Sequence, residues 1–231
     1  MNSPGWDDRF RRQRDAEMTP YRAELHRLGE ATRSVIEHLV AIRAPVEDLA
    51  RAADLLEDVA AKLADYPQGR LYEGFAESAN AGAAAGLFDH SPMLGLANPL
   101  APPIRVDLVD DVVVGKVHFG SAYEGPPGCV HGGFLAAAFD EVLGMTQSMS
   151  GRPGMTGTLS IRYRRPTPLH HDLVFEGRLL SVSGRKISTR GVCLADGEMT
   201  AEADGLFISV DLSKMGELYE ARLNAQARSQ A

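Results

Sequence analysis

The sequence predicts an α+β protein, and three observations carry that prediction. A long apolar stretch from Gly128 to Met145 opens on the Pro/Gly-rich approach Gly125-Pro126-Pro127-Gly128 and places apolar residues on every side of a helical wheel, which reads as a helix covered all round. Two strand signals precede it and four follow, with period-two alternation in the clearest of them. The later strands are joined at Ser183-Gly184-Arg185 and Ala195-Asp196-Gly197, short glycine-containing connections of the kind that close antiparallel hairpins. One long helix among antiparallel strands implies a sheet curled around that helix.

Taken in order, residues 1–69 are expected to form an N-terminal helical hairpin extension. Leu25, Leu28, Val35, Leu39 and Ile42 recur at three-four spacing with Thr32 filling the gap, while Arg22, Glu24, Arg27, Glu30, Arg33 and Glu37 read as the wet face. Pro45 is suited to the first position of a second helix, with Glu47 and Asp48 in its first turn and Leu49, Leu56, Val59 and Leu63 as its apolar stripe. Both stripes would be buried, against the main domain or against a second copy.

Residues 70–103, rich in Ala, Gly and Pro, read as a connector. Its ordered piece, Phe88 to Gly95, is either a lid or a turn covering a core edge. The main domain spans 104–212. Its strands are expected at Ile104–Leu108 and Val112–Phe119 before the helix. After it come Thr156–Tyr163, with Leu159, Ile161 and Tyr163 on one face, then Leu173–Val182, Lys186–Leu194 and Met199–Val210. Residues 213–231 are polar and rich in Ala and Arg, a frayed helix or disordered tail.

Composition narrows the function. The chain has 231 residues, 44% hydrophobic and 24% charged, enough for one substantial core plus an appendage. A formal charge of −7 and a pI near 5.5 argue against nucleic acid as a general partner, while local basic clusters remain available to a phosphorylated small molecule. The opening residues Met1 to Asp8 lack a basic segment followed by an apolar run, and no stretch approaches the roughly 20 apolar residues of a membrane span. A cytoplasmic protein with no membrane partner is the expectation. Cys129 and Cys193 lack metal spacing and read as reduced, small core residues. His170-His171-Asp172 has no accompanying ligand residues and is not taken as a metal site.

The run Gly128-Cys129-Val130-His131-Gly132-Gly133, the Asp140 nine positions after His131, and the strand end Tyr163-Arg164-Arg165-Pro166 resemble the hotdog-fold thioesterases of the PaaI and THEM type. The resemblance covers about residues 98 to 211. It implies a hotdog fold, a homodimer or dimer of dimers pairing through the central helix, and hydrolysis of acyl-CoA to acid and CoA with neither a metal nor a redox cofactor. It also places Thr156 at the polar position of the first core strand, where its hydroxyl would hold a water or Asp140. Many such relatives carry an Asn or Gln in the loop before the His. Here Tyr123-Glu124-Gly125-Pro126-Pro127 offers no amide side chain.

Physical chemistry gives these residue types their own reasons. The first N–H groups of a helix have no internal partners and lie at the positive end of the dipole, so Gly132 and Gly133 would let a carbonyl oxygen approach and form an oxyanion hole. Otherwise the glycines only permit a tight turn into the helix. Asp140 would serve as general base or as direct nucleophile, which the sequence does not separate. It lies eight residues beyond Gly132, roughly 12 Å along the axis, too far for both to reach one thioester. Two antiparallel copies of the helix across a twofold axis would bring each oxyanion hole to the partner's carboxylate. His131 is expected to orient the helix start. Glu141 is turned about 100° from Asp140, so one of the two would face the site and the other a salt bridge or the dimer seam; the resemblance assigns Asp140 to the site.

Arg164 and Arg165 at a strand end, and Arg185 with Lys186 at a hairpin, are candidate contacts to the CoA phosphates; otherwise they are solvated surface charge. Phe88, Met93, Leu94, Met145 and Met149 suggest an adaptable apolar tunnel, a composition that core residues share. Two other functions remain open. One is a non-catalytic acyl-CoA-binding sensor whose helical extension signals to a partner. The other is enoyl-CoA hydration, which would want an Asp/His pair on a short loop that this chain does not show.

Overall fold

A computed structural model of the protein describes residues 18–66 and 88–210. The tail expected from 213, the connector before 88 and the first 17 residues lie outside them. Three α-helices are described: α1 (Pro20–Leu39), α2 (Val46–Ala64) and α3 (Gly132–Ser148). Six strands follow the expected series: β1 (Arg105–Val109), β2 (Val112–His118), β3 (Gly154–Tyr163), β4 (Asp172–Ser183), β5 (Lys186–Ala195) and β6 (Glu198–Ser209).

The strands form one antiparallel sheet in the order β1-β2-β4-β5-β6-β3. Turn chemistry sets its hairpins. Asp110 and Asp111 both take positive φ between β1 and β2, and Asp196-Gly197 does the same between β5 and β6, the backbone that two-residue hairpins require. The helix α3 packs across β2 to β6, so the sheet curls around it in the hotdog arrangement. Gly177 and Gly191 face each other directly in β4 and β5 beneath the helix. A Cβ on Gly191 would stand 3.1 Å from Leu143, and one on Gly177 would overlap the Thr146 hydroxyl. The missing side chains let the helix settle close to the sheet.

The core lies between α3 and the concave sheet face. Phe119, Phe139, Phe175, Phe207, Leu135, Leu143, Leu173 and Ile187 are fully buried there, with Phe139 meeting Phe175 edge-on at 5.0 Å. Met93 and Met145 belong to this core, and Leu94 and Met149 pack against it, so these four are structural packing residues. Cys193 is buried, and burial pushes its thiol up to about 11. Cys129 departs from expectation: it sits partly exposed in the loop before α3, bridging to Pro168.

The extension corrects the sequence reading most. The face of α1 that docks is the polar one. Arg22 and His26 bond Asp89, and Arg33 donates to the carbonyls of Leu96 and Asn98. Glu37 accepts from the N–H groups of Ser121 and Ala122. Gly29 fits against the Leu96 carbonyl, where a Cβ would not. The apolar stripe points away: Leu28, Val35, Leu39 and Ile42 are exposed. Within the chain α2 likewise buries no residue, and Leu49, Leu56, Val59 and Leu63 are exposed. Pro45 stands one position before α2, as its N-cap. Periodicity correctly located the helices, but it could not foresee that long polar side chains would find backbone partners on the domain.

The segment after Phe88 is pinned in place. Asp89 is held by Arg22 and His26, the Ser91 hydroxyl accepts from the N–H groups of Met93 and Leu94, and Ile104 N–H bonds the Met93 carbonyl. Burial pushes the Asp89 carboxyl up, and the hydrogen bonds and charges of Arg22 and His26 more than reverse this, leaving it below the usual carboxylate range. With Met93 in the core, this segment covers a core edge.

Candidate active site

The helix start is built by three constraints. His131 takes an extended backbone (φ −62°, ψ 131°) and acts as N-cap, its Nδ1 accepting the Gly133 N–H at 3.0 Å. The His131 N–H in turn donates to the Tyr123 carbonyl at 2.9 Å, tying the helix to the preceding turn. From the far side, the Tyr163 hydroxyl donates to the Gly132 carbonyl at 2.9 Å. Gly132 N–H, first in the helix, has no hydrogen-bond partner among the described residues. The expected pair of donors is thereby modified: Gly132 N–H is open, whereas Gly133 N–H is engaged by the imidazole. In the sequence Tyr163 belongs to one strand face and to the strand end that carries the family resemblance, and nothing in its spacing signals this contact.

Asp140 is exposed on α3, and the Thr156 hydroxyl donates to its Oδ1 at 2.8 Å. This pairing depends on an irregularity in β3. Simple alternation puts Thr156 on the face opposite Leu159, Ile161 and Tyr163. A bulge between Thr156 and Thr158 inserts one extra residue, so both Thr156 and Tyr163 turn toward the helix. A single strand therefore holds both functional regions of α3, Gly132 near its end and Asp140 near its beginning.

The helix is also less covered than its sequence suggests. Leu135, Ala138, Phe139, Val142, Leu143 and Thr146 face the sheet, but Gly133 and Asp140 are exposed, and Ala136, Ala137 and Gly144 are only partly covered. These form a stripe of small residues with Asp140 at its middle. Glu141 keeps some accessible surface, yet its carboxyl lies deep in protein; burial, and then the neighbouring Asp140 charge, raise it to about 7.

The basic residues divide between the two ends of the sheet. Arg164 and Arg165 follow β3 near the helix start, where Arg164 pairs with Glu202 and Arg165 with Glu198 at 2.7 Å. Arg185 and Lys186 sit at the β4–β5 turn, and Arg185 donates to the Ser209 carbonyl at 3.1 Å. Three of these four thus already have protein partners. Among the described residues, no three His, Cys, Asp or Glu side chains gather as a metal site, and no helix is long and apolar enough to cross a membrane.

A long helix wrapped by one antiparallel sheet is the hotdog arrangement, and here it carries an open N–H at the helix start and a hydroxyl-held carboxylate at its middle. The chain belongs to the thioesterase superfamily, whose family model matches residues 127–201, from the loop before α3 into β6. A thioesterase superfamily protein known from its crystal structure is 35% identical, with a TM-score of 0.72 over 80% of this chain and 94% of that one. Acyl-coenzyme A thioesterase THEM4 of Bos taurus is 36% identical over 97 residues, 41% of this chain and 40% of that protein. Acyl-coenzyme A thioesterase THEM5 of Homo sapiens is 31% identical over 97 residues, 41% and 39% of the two chains. The chain thus matches about two fifths of the length of these curated relatives.

Proposed function

We propose that this protein hydrolyses acyl-CoA thioesters to a free acid and CoA, as a homodimer in which each site joins residues of two chains. The observation that carries the reading is the Asp140 carboxylate, held by Thr156 on an open helix face eight residues from the free Gly132 N–H. In that site Asp140 of one chain takes a proton from water, and the resulting hydroxide adds to the thioester carbonyl. The oxygen, now negative, is met by the partner copy of the Gly132 N–H at the positive end of its helix. Collapse of the intermediate breaks the carbon–sulfur bond and releases CoA thiolate. In the nucleophilic variant, Asp140 itself adds, and water then cleaves the acyl anhydride.

The small-residue stripe on α3 and the edge position of β3 support the dimer. The stripe lets a second helix approach closely, and an edge strand with open N–H and C=O groups invites pairing or cover. Arg185 and Lys186 are the better placed of the basic pairs for CoA phosphates, because Arg164 and Arg165 are held by carboxylates. Thiol release measured across acyl-CoA chain lengths, beside Asp140→Asn, tests the proposal. Turnover by the unsubstituted protein and its loss in the folded variant are expected. Saturable acyl-CoA binding with no thiol release would favour the sensor reading instead.

A further inference from the structure

One side chain of α1 is hydrogen-bonded to the turn that precedes the candidate site. The Glu37 carboxylate on α1 accepts the Ser121 N–H at 2.7 Å with one oxygen and the Ala122 N–H at 3.2 Å with the other. It thereby caps the short turn Ser121–Tyr123, whose own N-cap residue Gly120 makes no side-chain hydrogen bond. A Cβ at Gly120 would overlap the Glu37 carboxylate and displace it from the turn. Burial pushes this carboxyl up, but the turn's N–H groups and the His170 charge more than reverse it, leaving Glu37 below the usual range and ionised.

The turn it caps holds the helix start. Tyr123, the turn's last residue, accepts the His131 N–H through its carbonyl at 2.9 Å. Its ring wedges edge-on against Phe134 at 4.8 Å and against Phe119 at 5.2 Å. His131 then fixes Gly133 through its Nδ1, and Phe134 is in the first turn of α3. Each link is short, directional and made to backbone or to a rigid ring. A displacement of the turn therefore passes to the Gly132 and Gly133 N–H groups with little slack.

We infer that Glu37 is a positioning residue for the thioester site, acting from the extension through the Ser121–Tyr123 turn and His131 on the N–H groups at the start of α3. The inference rests on the thioesterase reading above for its kinetic consequence only. It explains why α1 docks by its polar face: Arg22, His26 and Arg33 anchor the helix, and Glu37 delivers the anchored carboxylate to the turn.

Two readouts test it on the whole 231-residue chain. In Glu37→Gln, which keeps the volume but replaces one acceptor oxygen with a donor, kcat for acyl-CoA is expected to fall about tenfold with KM within about twofold, because only the placement of the Gly132 N–H that meets the transition state is disturbed. Amide exchange at Gly133 is expected to quicken about tenfold in the same variant as the helix start loosens. Glu37→Ala, which leaves the turn's N–H groups to water, should give both effects more strongly. Arg27→Ala, which removes only an exposed Glu24 pair on the same helix, should give neither. Unchanged kcat in Glu37→Gln, or a lower melting temperature with unchanged Gly133 exchange, would overturn the inference. If the unsubstituted protein turns over no acyl-CoA, the thioesterase reading fails separately and the amide exchange alone decides the role of Glu37.

Discussion

If each site is shared across a twofold axis, two inactive variants should repair one another. The first is Asp140→Asn, which keeps the Thr156 contact but loses the basic oxygen; loss of a positioned base or nucleophile costs on the order of 10²–10⁴ in rate. The second is Gly132→Pro. Position one of a helix tolerates proline, His131 already has the extended backbone that proline favours before it, and the substitution deletes the open N–H. A Cβ at Gly132 would lie 3.3 Å from the Tyr163 hydroxyl, a contact that the exposed ring can relieve. Removal of one oxyanion donor costs about 10²–10³.

The two positions are roughly 12 Å apart along one helix, so neither chain alone can use both. In a mixed dimer, one site combines both defects and the other combines neither. Equal mixing with random re-pairing makes half of the dimers mixed, and half of their sites intact, so about a quarter of the unsubstituted activity should return. Thiol release before and after co-refolding of the two inactive proteins reads the result. If the mixture remains as inactive as its parts while native mass spectrometry shows mixed dimers, the shared site is refuted.

The remaining predictions concern the helix and its seat. Glu141 has a folded-state carboxyl near 7 against an ordinary 4.5, so the folded protein holds the proton more tightly than the unfolded chain. Its contribution is therefore fully favourable below about pH 4.5 and is lost as pH rises from there to about 7. Glu141→Gln should accordingly gain about 1–3 kcal/mol of stability at pH 8 relative to its effect at pH 4, read from denaturant midpoints, and equal effects at both pH values would refute the assignment. Gly177→Ala places a Cβ against the Thr146 hydroxyl, which is committed to the Val142 carbonyl at 2.7 Å, and should cost about 1–3 kcal/mol by overpacking. An unchanged melting temperature would show that α3 is less tightly seated on the sheet than its contacts imply.

Much of this was legible in the sequence because local patterns carried it. Apolar runs, alternation and glycine turns marked all six strands to within about two residues, since the preferences for pleat and turn act over a few neighbouring residues. The glycines after His131 stood out for the same reason, as did the two charges Asp140 and Glu141 inside an apolar helix, between which the family resemblance chose Asp140.

What local patterns do not carry depends on elements distant in the chain. The resemblance offered Asp140 or a water as the partner of Thr156, but period-two alternation turns Thr156 the other way, and only a bulge with one inserted residue brings its hydroxyl to Asp140. Gly133 N–H is engaged because the His131 ring folds back on it, a rotamer choice that spacing does not dictate. The face of α1 that docks was misread because hydrophobic periodicity weighs only burial of apolar area. Arg22, Arg33 and Glu37 instead bond a carboxylate, carbonyls and N–H groups more than 60 residues away. The sequence by itself determined the helix, the strands and the chemical groups at the site. The tertiary structure alone decided which groups meet, because hydrogen bonds between distant segments follow from where the folded backbone leaves unpaired donors and acceptors.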